Sequence, residues 1–283
     1  MILKDLLKAA QQSISVSLAM PLDEAAIDAR LLLQHSLKVD HAWLISHIND
    51  ELIDVQVASF EQILARHLKG EPIAYILGMR EFYGLPLKTT PATLIPRPDT
   101  ETLVEAALDK LPANQNLRVL DLGAGTGAIA LAIAKNRPQS QVTAVDFSHE
   151  ALSIAKENAL NLDLARVRFL QSNWFASLQN EKFDLIVSNP PYIAENDAHL
   201  AQGDLRFEPL TALASGKDGL DDIRLIIQEA PSHLDPNGWL MLEHGYDQAE
   251  KVAELLRLHG FEQISHAQDL SGTLRVTLGR MPQ

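Results

Sequence analysis

With 283 residues, 46% of them hydrophobic and 22% charged, the chain is long enough for two domains and too apolar to be disordered. It has no cysteine, which excludes disulfides, thiolate metal sites and a Cys nucleophile. A net charge of −13 makes it a poor general binder of phosphate backbones, where affinity comes mostly from Lys and Arg, so no direct nucleic-acid contact is expected. The first residues, Met1-Ile2-Leu3-Lys4-Asp5, lack a basic segment followed by an apolar one, and no apolar run approaches the ~20 residues of a membrane span. A cytoplasmic protein with no membrane partner is expected.

Residues 1–70 read as helices. Leu3, Leu6, Leu7 and Ala10 have helical spacing. Pro21-Leu22-Asp23-Glu24 opens the next helix with acids at the positive end of its dipole. Ala26, Ile27, Leu31, Leu32 and His35 are expected on its apolar face. A further helix over 55–68 turns Phe60, Ile63, Leu64 and Leu68 inward, and Gly70 and Pro72 end it. His35, His41 and His47 do not share a helix face, so no metal site is expected. This first region, 1–72, shows no chemistry of its own.

The character then changes. Phe82-Tyr83-Gly84-Leu85-Pro86-Leu87 sets turn signals between apolar pieces and predicts a hairpin or linking ribbon within 73–97. Leu94-Ile95-Pro96-Arg97-Pro98-Asp99-Thr100-Glu101 reads as a helix start, followed by the core stripe Leu103, Val104, Ala107, Leu108 and Leu111. That reading leaves unexplained an Arg pinned between two prolines.

From 117 strands and helices alternate. Strands are expected at 118–122, 141–145, 167–170, 183–187, 238–243, 261–266 and 274–278. Helices are expected at 127–136, 148–162, 221–230 and 248–259, with a polar loop over 194–220. Alternation of this kind implies a parallel sheet covered by helices, in a third region spanning 98–283.

Asp121-Leu122-Gly123-Ala124-Gly125-Thr126-Gly127 falls between the first of these strands and its helix. Glycines there let the backbone approach a ligand closely, and the helix N-terminus offers unpaired N–H groups. With Ala128 the run also satisfies G-x-G-x-x-A, so a dinucleotide competes at this point. Asp146, 19 residues past Gly127, can accept from both ribose hydroxyls of an adenosine or cap the next helix. Asp121 can hold a ligand ammonium or brace the loop. Trp174 can pack on an adenine or simply fill the core.

The decisive stretch is Ile186-Val187-Ser188-Asn189-Pro190-Pro191-Tyr192. An apolar strand stops at an amide, two prolines and a phenol. The prolines have no N–H and push their predecessors to extended geometry, so the corner is stiff. It offers an Asn amide, a free Pro190 carbonyl and an aromatic face, which suit a planar group bearing an NH2. A dinucleotide enzyme needs a pyrophosphate cradle and a hydride acceptor instead. The two motifs together fit methyl transfer from S-adenosylmethionine to an amino or amide nitrogen, leaving S-adenosylhomocysteine.

These residues resemble the bacterial peptide chain release factor glutamine N5-methyltransferase family. The resemblance runs through Gly78-Met79-Arg80-Glu81-Phe82-Tyr83, the 94–101 and 121–127 stretches, Ser188 to Tyr192, Arg206-Phe207-Glu208-Pro209-Leu210 and Leu242-Glu243-His244-Gly245. Asn-Pro-Pro-Tyr alone is shared with adenine-N6 DNA enzymes and ribosomal enzymes. The 94–101 stretch and Arg-Phe-Glu-Pro narrow it. The 268–276 turn departs modestly from the family's more charged one.

The resemblance implies an α/β, Rossmann-like S-adenosylmethionine-dependent methyltransferase fold, mostly parallel with the last strand antiparallel, behind a small N-terminal helical domain that helps hold the substrate. It implies methylation of the glutamine amide in the Gly-Gly-Gln motif of class-one release factors. Gly123, Ala124, Gly125, Thr126, Gly127, Asp146, Trp174 and Asn189 would contact the cofactor. Asn189, Pro190, Pro191 and Tyr192 would contact the glutamine, with Asn189, Pro190 and Tyr192 catalytic. Arg97 and the 194–220 loop would border the substrate channel. The alternatives are a ribosomal protein glutamine or a nucleic-acid adenine as acceptor, or an inactive scaffold on the same fold.

Overall fold

Leu3, Leu6, Ala10 and Ile14 are all buried along one side of α1 (Leu3–Leu18). They share a core with Ala25, Ala29, Leu32 and Leu33 of α2 (Leu22–Leu37), Leu44 of α3 (His41–Ser46), Phe60 of α4 (Asp54–His67) and Ile76 of α5 (Ile73–Leu77). In the computed structural model, which describes residues 1–283, these helices form the first of two units, Met1–Gly78. The buried face of α2 is not the expected one. Ile27, Leu31 and His35 are exposed, and Ala25 and Ala29 are buried in their stead. Alanine adds little to a hydrophobic pattern, yet its small side chain lets helices approach closely, and here Ala25 and Ala29 join the shared core. His35 and His41 are exposed, and His47 stacks on Trp43 with ring centroids 4.1 Å apart. No helix of the chain is long and apolar enough to cross a membrane.

The second unit is Met79–Gln283. It opens with the antiparallel hairpin β1 (Met79–Phe82) and β2 (Leu85–Lys88). Tyr83 and Gly84 turn it with φ of 51° and 74°, the pair of positive angles that suits the twist of a two-residue hairpin loop. The hairpin is fastened rather than free. Lys88 N donates to Asn158 Oδ1 at 2.7 Å, and the Asn158 amide donates back to Lys88 O at 3.1 Å. This unit therefore starts at Met79, ahead of the expected boundary at 98.

The rest follows the expected alternation: α6 (Glu101–Lys110), β3 (Arg118–Leu122), α7 (Ala128–Asn136), β4 (Gln141–Asp146), α8 (His149–Asn161), β5 (Arg168–Gln171), β6 (Phe183–Ser188), α9 (Asp221–Glu229), β7 (Leu234–Glu243), α10 (Ala249–Leu258), β8 (Glu262–Gln268) and β9 (Leu274–Arg280). The seven strands form one sheet in the order β5-β4-β3-β6-β7-β9-β8. β9 alone runs opposite to the other six strands, so it pairs antiparallel with both β7 and β8. The fold is Rossmann-like and mostly parallel. β7 begins four residues before the expected 238, because Pro236-Asn237-Gly238 is taken up as an irregularity where the register against β6 shifts. The 194–220 loop holds three short 3-10 turns, and it is stitched to the strand-end corner where Ile193 N donates to Leu213 O and Ser215 N to Ile193 O, both at 2.9 Å.

Chain order reverses between β3 and β6, which is where open α/β sheets bind their ligands. Leu122 and Ser188, the last residues of these strands, are register partners. Ser188 Oγ donates to Leu122 O at 2.7 Å. The glycine loop and Asn189 thus leave the sheet side by side.

Candidate active site

The glycine loop is held by its neighbour strand: Gly123 N and Ala124 N both donate to Val145 O at 2.9 Å. Its glycines do different jobs. A Cβ on Gly125, at φ +55°, would meet nothing within 4 Å, so open space faces it. A Cβ on Gly127, at φ +82°, would press on Ala155 and Leu131 at 3.2 Å, so this glycine serves the packing of α7. Ala124 and Thr126 are buried. Of the five loop residues, Gly123 and Gly125 line the adjoining cavity.

That cavity has a volume of about 450 Å3, within the range of small-molecule sites. Asp146, Phe147, Ser172, Trp174, Asn189 and Pro191 complete much of its wall. Asp146 Oδ2 accepts from Gly125 N and Oδ1 from Ser148 N, both at 2.8 Å. It braces the loop, and each oxygen keeps a further lone pair for a ligand hydroxyl. Burial raises its pKa, and the N–H groups of Gly125, Ser148 and Phe147 oppose the rise. Trp174 adopts a φ of 46°, its carbonyl accepting from Ser172 Oγ at 2.7 Å, and its ring passes 3.5 Å from where a Gly123 Cβ would lie.

Beneath the loop Asp121 is fully buried. Its Oδ2 accepts from Ala130 N at 3.0 Å, but its Oδ1 carries no hydrogen bond. Burial pushes this carboxyl up to about 7. An orphaned carboxyl oxygen would suit a ligand ammonium, the Asp146 lone pairs a ribose, and the Trp174 and Phe147 surfaces a flat base. The residues present fit a nucleoside joined to an amino acid.

Asn189 also lines a second, smaller cavity of about 50 Å3 with Pro190, Tyr192, Arg97 and Leu94. Its Nδ2 donates to Thr100 Oγ1 at 3.1 Å, which leaves Oδ1 as an acceptor. Neither that oxygen nor the Pro190 carbonyl accepts a hydrogen bond from the chain. The Tyr192 carbonyl is held by Gln248 Nε2 at 3.0 Å, and its hydroxyl lies 3.4 Å from Glu243 Oε1. Burial and the nearby Glu243 carboxyl push the phenol well above its ordinary value, so it stays protonated. Glu243 is itself buried and pushed up to about 7, opposed by the Thr100 hydroxyl and Arg275. Arg97 donates through Nη2 to Glu208 Oε2 at 2.7 Å. Every expected site residue therefore lies at or directly beneath these adjoining cavities or packs the loop that walls them.

Sequence reasoning gave no role to Phe147, Ser172, Thr100, Glu208, Glu243 or Gln248. Glu208 and Glu243 stood inside the resembling stretches, and Thr100 was read only as part of a helix start. A larger and more open depression of about 710 Å3, near the stacked Phe175 and His233 rings, holds none of the loop or corner residues.

A Rossmann-like sheet with this loop and this proline corner at its switch point defines a methyltransferase. Residues 99–205 match the methyltransferase small domain and residues 5–78 the PrmC N-terminal domain. The chain is 51% identical over 256 residues to the release factor glutamine methyltransferase of Xylella fastidiosa (strain Temecula1), covering 90% of this chain and 93% of that one. It is 47% identical over 256 residues to the protein of the same name from Escherichia coli (strain K12), covering 90% and 92%. The crystal structure of a methyltransferase from Pyrococcus furiosus, 20% identical, shares the fold with a TM-score of 0.54 over 79% of this chain and 100% of that one. The chain belongs to the release factor glutamine methyltransferase family.

Proposed function

We propose that the chain methylates the N5 nitrogen of the glutamine side chain in the Gly-Gly-Gln motif of class-one release factors, with S-adenosylmethionine as donor. The observation that carries this reading is the pair of unengaged acceptors, Asn189 Oδ1 and the Pro190 carbonyl, on a stiff corner whose Asn189 borders both cavities. Two acceptors match the two N–H groups of a carboxamide. Relatives that bear the name release factor glutamine methyltransferase along nine-tenths of this chain support the same acceptor.

Gly123, Gly125, Asp121, Asp146 and Trp174 would hold the cofactor, with Ala124, Thr126 and Gly127 shaping the loop. When bound, S-adenosylmethionine supplies a methyl carbon made electrophilic by its sulfonium, and the amide nitrogen's electron pair takes that carbon as the C–S bond breaks. The chain's own residues orient the acceptor. Asn189 Oδ1 and the Pro190 carbonyl accept its N–H bonds and favour positive charge building on the nitrogen. The Tyr192 ring, with Pro191 beside it, packs on the amide plane. A carboxamide proton is too weakly acidic for a side-chain base, so it leaves after transfer, to a carbonyl or to solvent. Orientation of this kind can supply roughly 7–11 kcal/mol of barrier lowering. The helical unit Met1–Gly78, with Ile45, Ile53 and Val55 exposed, would dock the protein substrate.

Mass spectrometry tests the reading. A recombinant class-one release factor incubated with the protein and S-adenosylmethionine should gain one methyl group on the motif glutamine. Methyl on a ribosomal protein or on nucleic acid, with the factor unmodified, would reject it.

A further inference from the structure

Tyr192 is stiffened from one side only. Pro191 fixes its own φ and restrains Pro190, so the chain ahead of Tyr192 is rigid. No proline follows, and at the far end of the ring the hydroxyl has only Glu243 Oε1, at 3.4 Å. The peptide plane between Tyr192 and Ile193 is pinned at both ends instead. Its N–H, on Ile193, donates to Leu213 O at 2.9 Å. Its carbonyl, on Tyr192, accepts from Gln248 Nε2 at 3.0 Å. Gln248 is 5% exposed and stands immediately before α10. Its Oε1 accepts from Gly245 N at 2.8 Å, and its Nε2 also donates to the Asp218 carbonyl at 3.3 Å. All three partners are backbone groups, one donor and two acceptors, so they admit a single orientation of the amide. The approach is close: a Cβ on Gly219, at φ +75°, would lie 2.2 Å from Tyr192 O and 2.8 Å from Gln248 Nε2.

Resting on the function proposed above, we infer that Gln248 is a positioning residue whose amide clamps the Tyr192 carbonyl to the end of the 194–220 loop and so holds the phenol ring against the substrate amide. One N–H is spent on the corner and the other on the loop, while the oxygen is fixed to the turn after β7. Corner and loop exit then move as one body. Without the two donors the 192–193 plane is held at its Ile193 end alone and can tilt, and the ring tilts with it. An apolar side chain at 248 removes all three bonds. A carboxyl there keeps an acceptor for Gly245 N but has at most one proton for two carbonyls, and none once ionised. The pair of substitutions therefore separates support of the turn after β7 from the hold on Tyr192.

The test compares the full-length wild type with Gln248→Met and Gln248→Glu, well below the melting temperature of each. Steady-state methylation of an intact class-one release factor gives kcat and KM, and calorimetry gives S-adenosylhomocysteine affinity. Both variants should lower kcat about tenfold or more, while KM and the cofactor-product affinity stay within about threefold. Recovery of kcat in Gln248→Glu to within about threefold of wild type would make Gln248 a support of the Gly245 turn alone and overturn the inference. So would unchanged kcat in both variants, or a loss of cofactor-product affinity equal to the loss in kcat. If Gln248→Glu fails to fold, Gly219→Ala takes its place. That variant keeps Gln248 but forces the Tyr192 carbonyl aside, and it should lose kcat in the same way. A Gln248→Met protein unfolded at the working temperature also overturns the inference, because the amide then serves the fold rather than the reaction. A wild type that leaves the factor unmethylated overturns the underlying reading instead, a result distinct from an active wild type with indifferent variants.

Discussion

Arg97 and Glu208 stand 111 positions apart in the chain and meet at 2.7 Å, with the Glu208 side chain wholly shielded from solvent. The same carboxylate accepts from Ile95 N at 3.1 Å. One buried acid thus ties the proline-flanked stretch to the 194–220 loop. Burial raises its pKa and Arg97 opposes that rise. Arg97→Ala leaves a buried carboxyl with a single backbone donor. Arg97 is partly exposed, so the loss is smaller than for a fully buried pair, about 1–2 kcal/mol. The variant should melt a few degrees lower, and limited proteolysis should cut the 194–220 loop faster. A cleavage rate equal to wild type would show that the pair does not fasten the loop.

On the proposed reading, Asn189→Ala removes one of two acceptors for the substrate amide, and it leaves most of the larger cavity's wall in place. Turnover should fall by roughly 10² or more, with S-adenosylhomocysteine affinity within about threefold of wild type. Asn189→Asp keeps an acceptor but adds charge beside Thr100 and the buried Glu243, and should be no better than Ala. Parallel kinetics and calorimetry check both. Equal losses in kcat and affinity would assign Asn189 to cofactor binding alone.

Gly125 and Gly127 separate ligand approach from packing. Both have positive φ, so an Ala at either costs about 1–2 kcal/mol of backbone strain. At Gly125 the new methyl enters the cavity, and affinity for S-adenosylhomocysteine should drop about tenfold or more. At Gly127 the methyl meets Ala155 and Leu131, and the extra cost should appear as a lower melting temperature. Calorimetry and thermal melts of the two variants should rank them in opposite orders.

Burial pushes the Asp121 and Glu243 carboxyls up to about 7, from ordinary values of 3.8 and 4.5. A carboxyl with a raised folded pKa favours the protonated form. Its stabilisation is complete below the unfolded pKa and is lost as pH rises through about 7. At most, the Asp121 shift accounts for about 4 kcal/mol and the Glu243 shift for about 3 kcal/mol across that window. The ligand-free protein should therefore lose stability between pH 4 and 8 more steeply than an Asp121→Asn, Glu243→Gln variant does. Urea melts at several pH values measure the difference. Parallel curves would show that the two carboxyls titrate normally.

Ile53→Asp with Val55→Asp changes two exposed apolar side chains of the helical unit. KM for an intact release factor should rise severalfold, while methylation of a short peptide bearing the motif should not change. Identical KM values for the intact factor would exclude these residues from docking.

Much of the second unit is written in local patterns. The hairpin is announced by Tyr83-Gly84, the strands by apolar runs, and the site by a glycine run and two prolines. Patterns of this kind act within a few residues, so they survive reading one chain. The buried face of α2 was misjudged because Ala25 and Ala29 carry little hydrophobic signal. β7 was read short because Pro236 and Gly238 look like a terminus, and only the neighbouring strand shows that they are absorbed. Glu208, Thr100, Glu243 and Gln248 act through partners far away in sequence. A lone acid or amide at a strand end or helix start has many possible partners, and the fold alone selects among them.

Asn189 forms part of the wall of both chambers, together with Leu94 and Ala212. If occupancy of one chamber shifts affinity in the other, reciprocity requires the two occupants of the proposed reaction to alter each other's affinity by the same factor. Donor and acceptor of the proposed reaction would then meet across a wall only a few side chains thick.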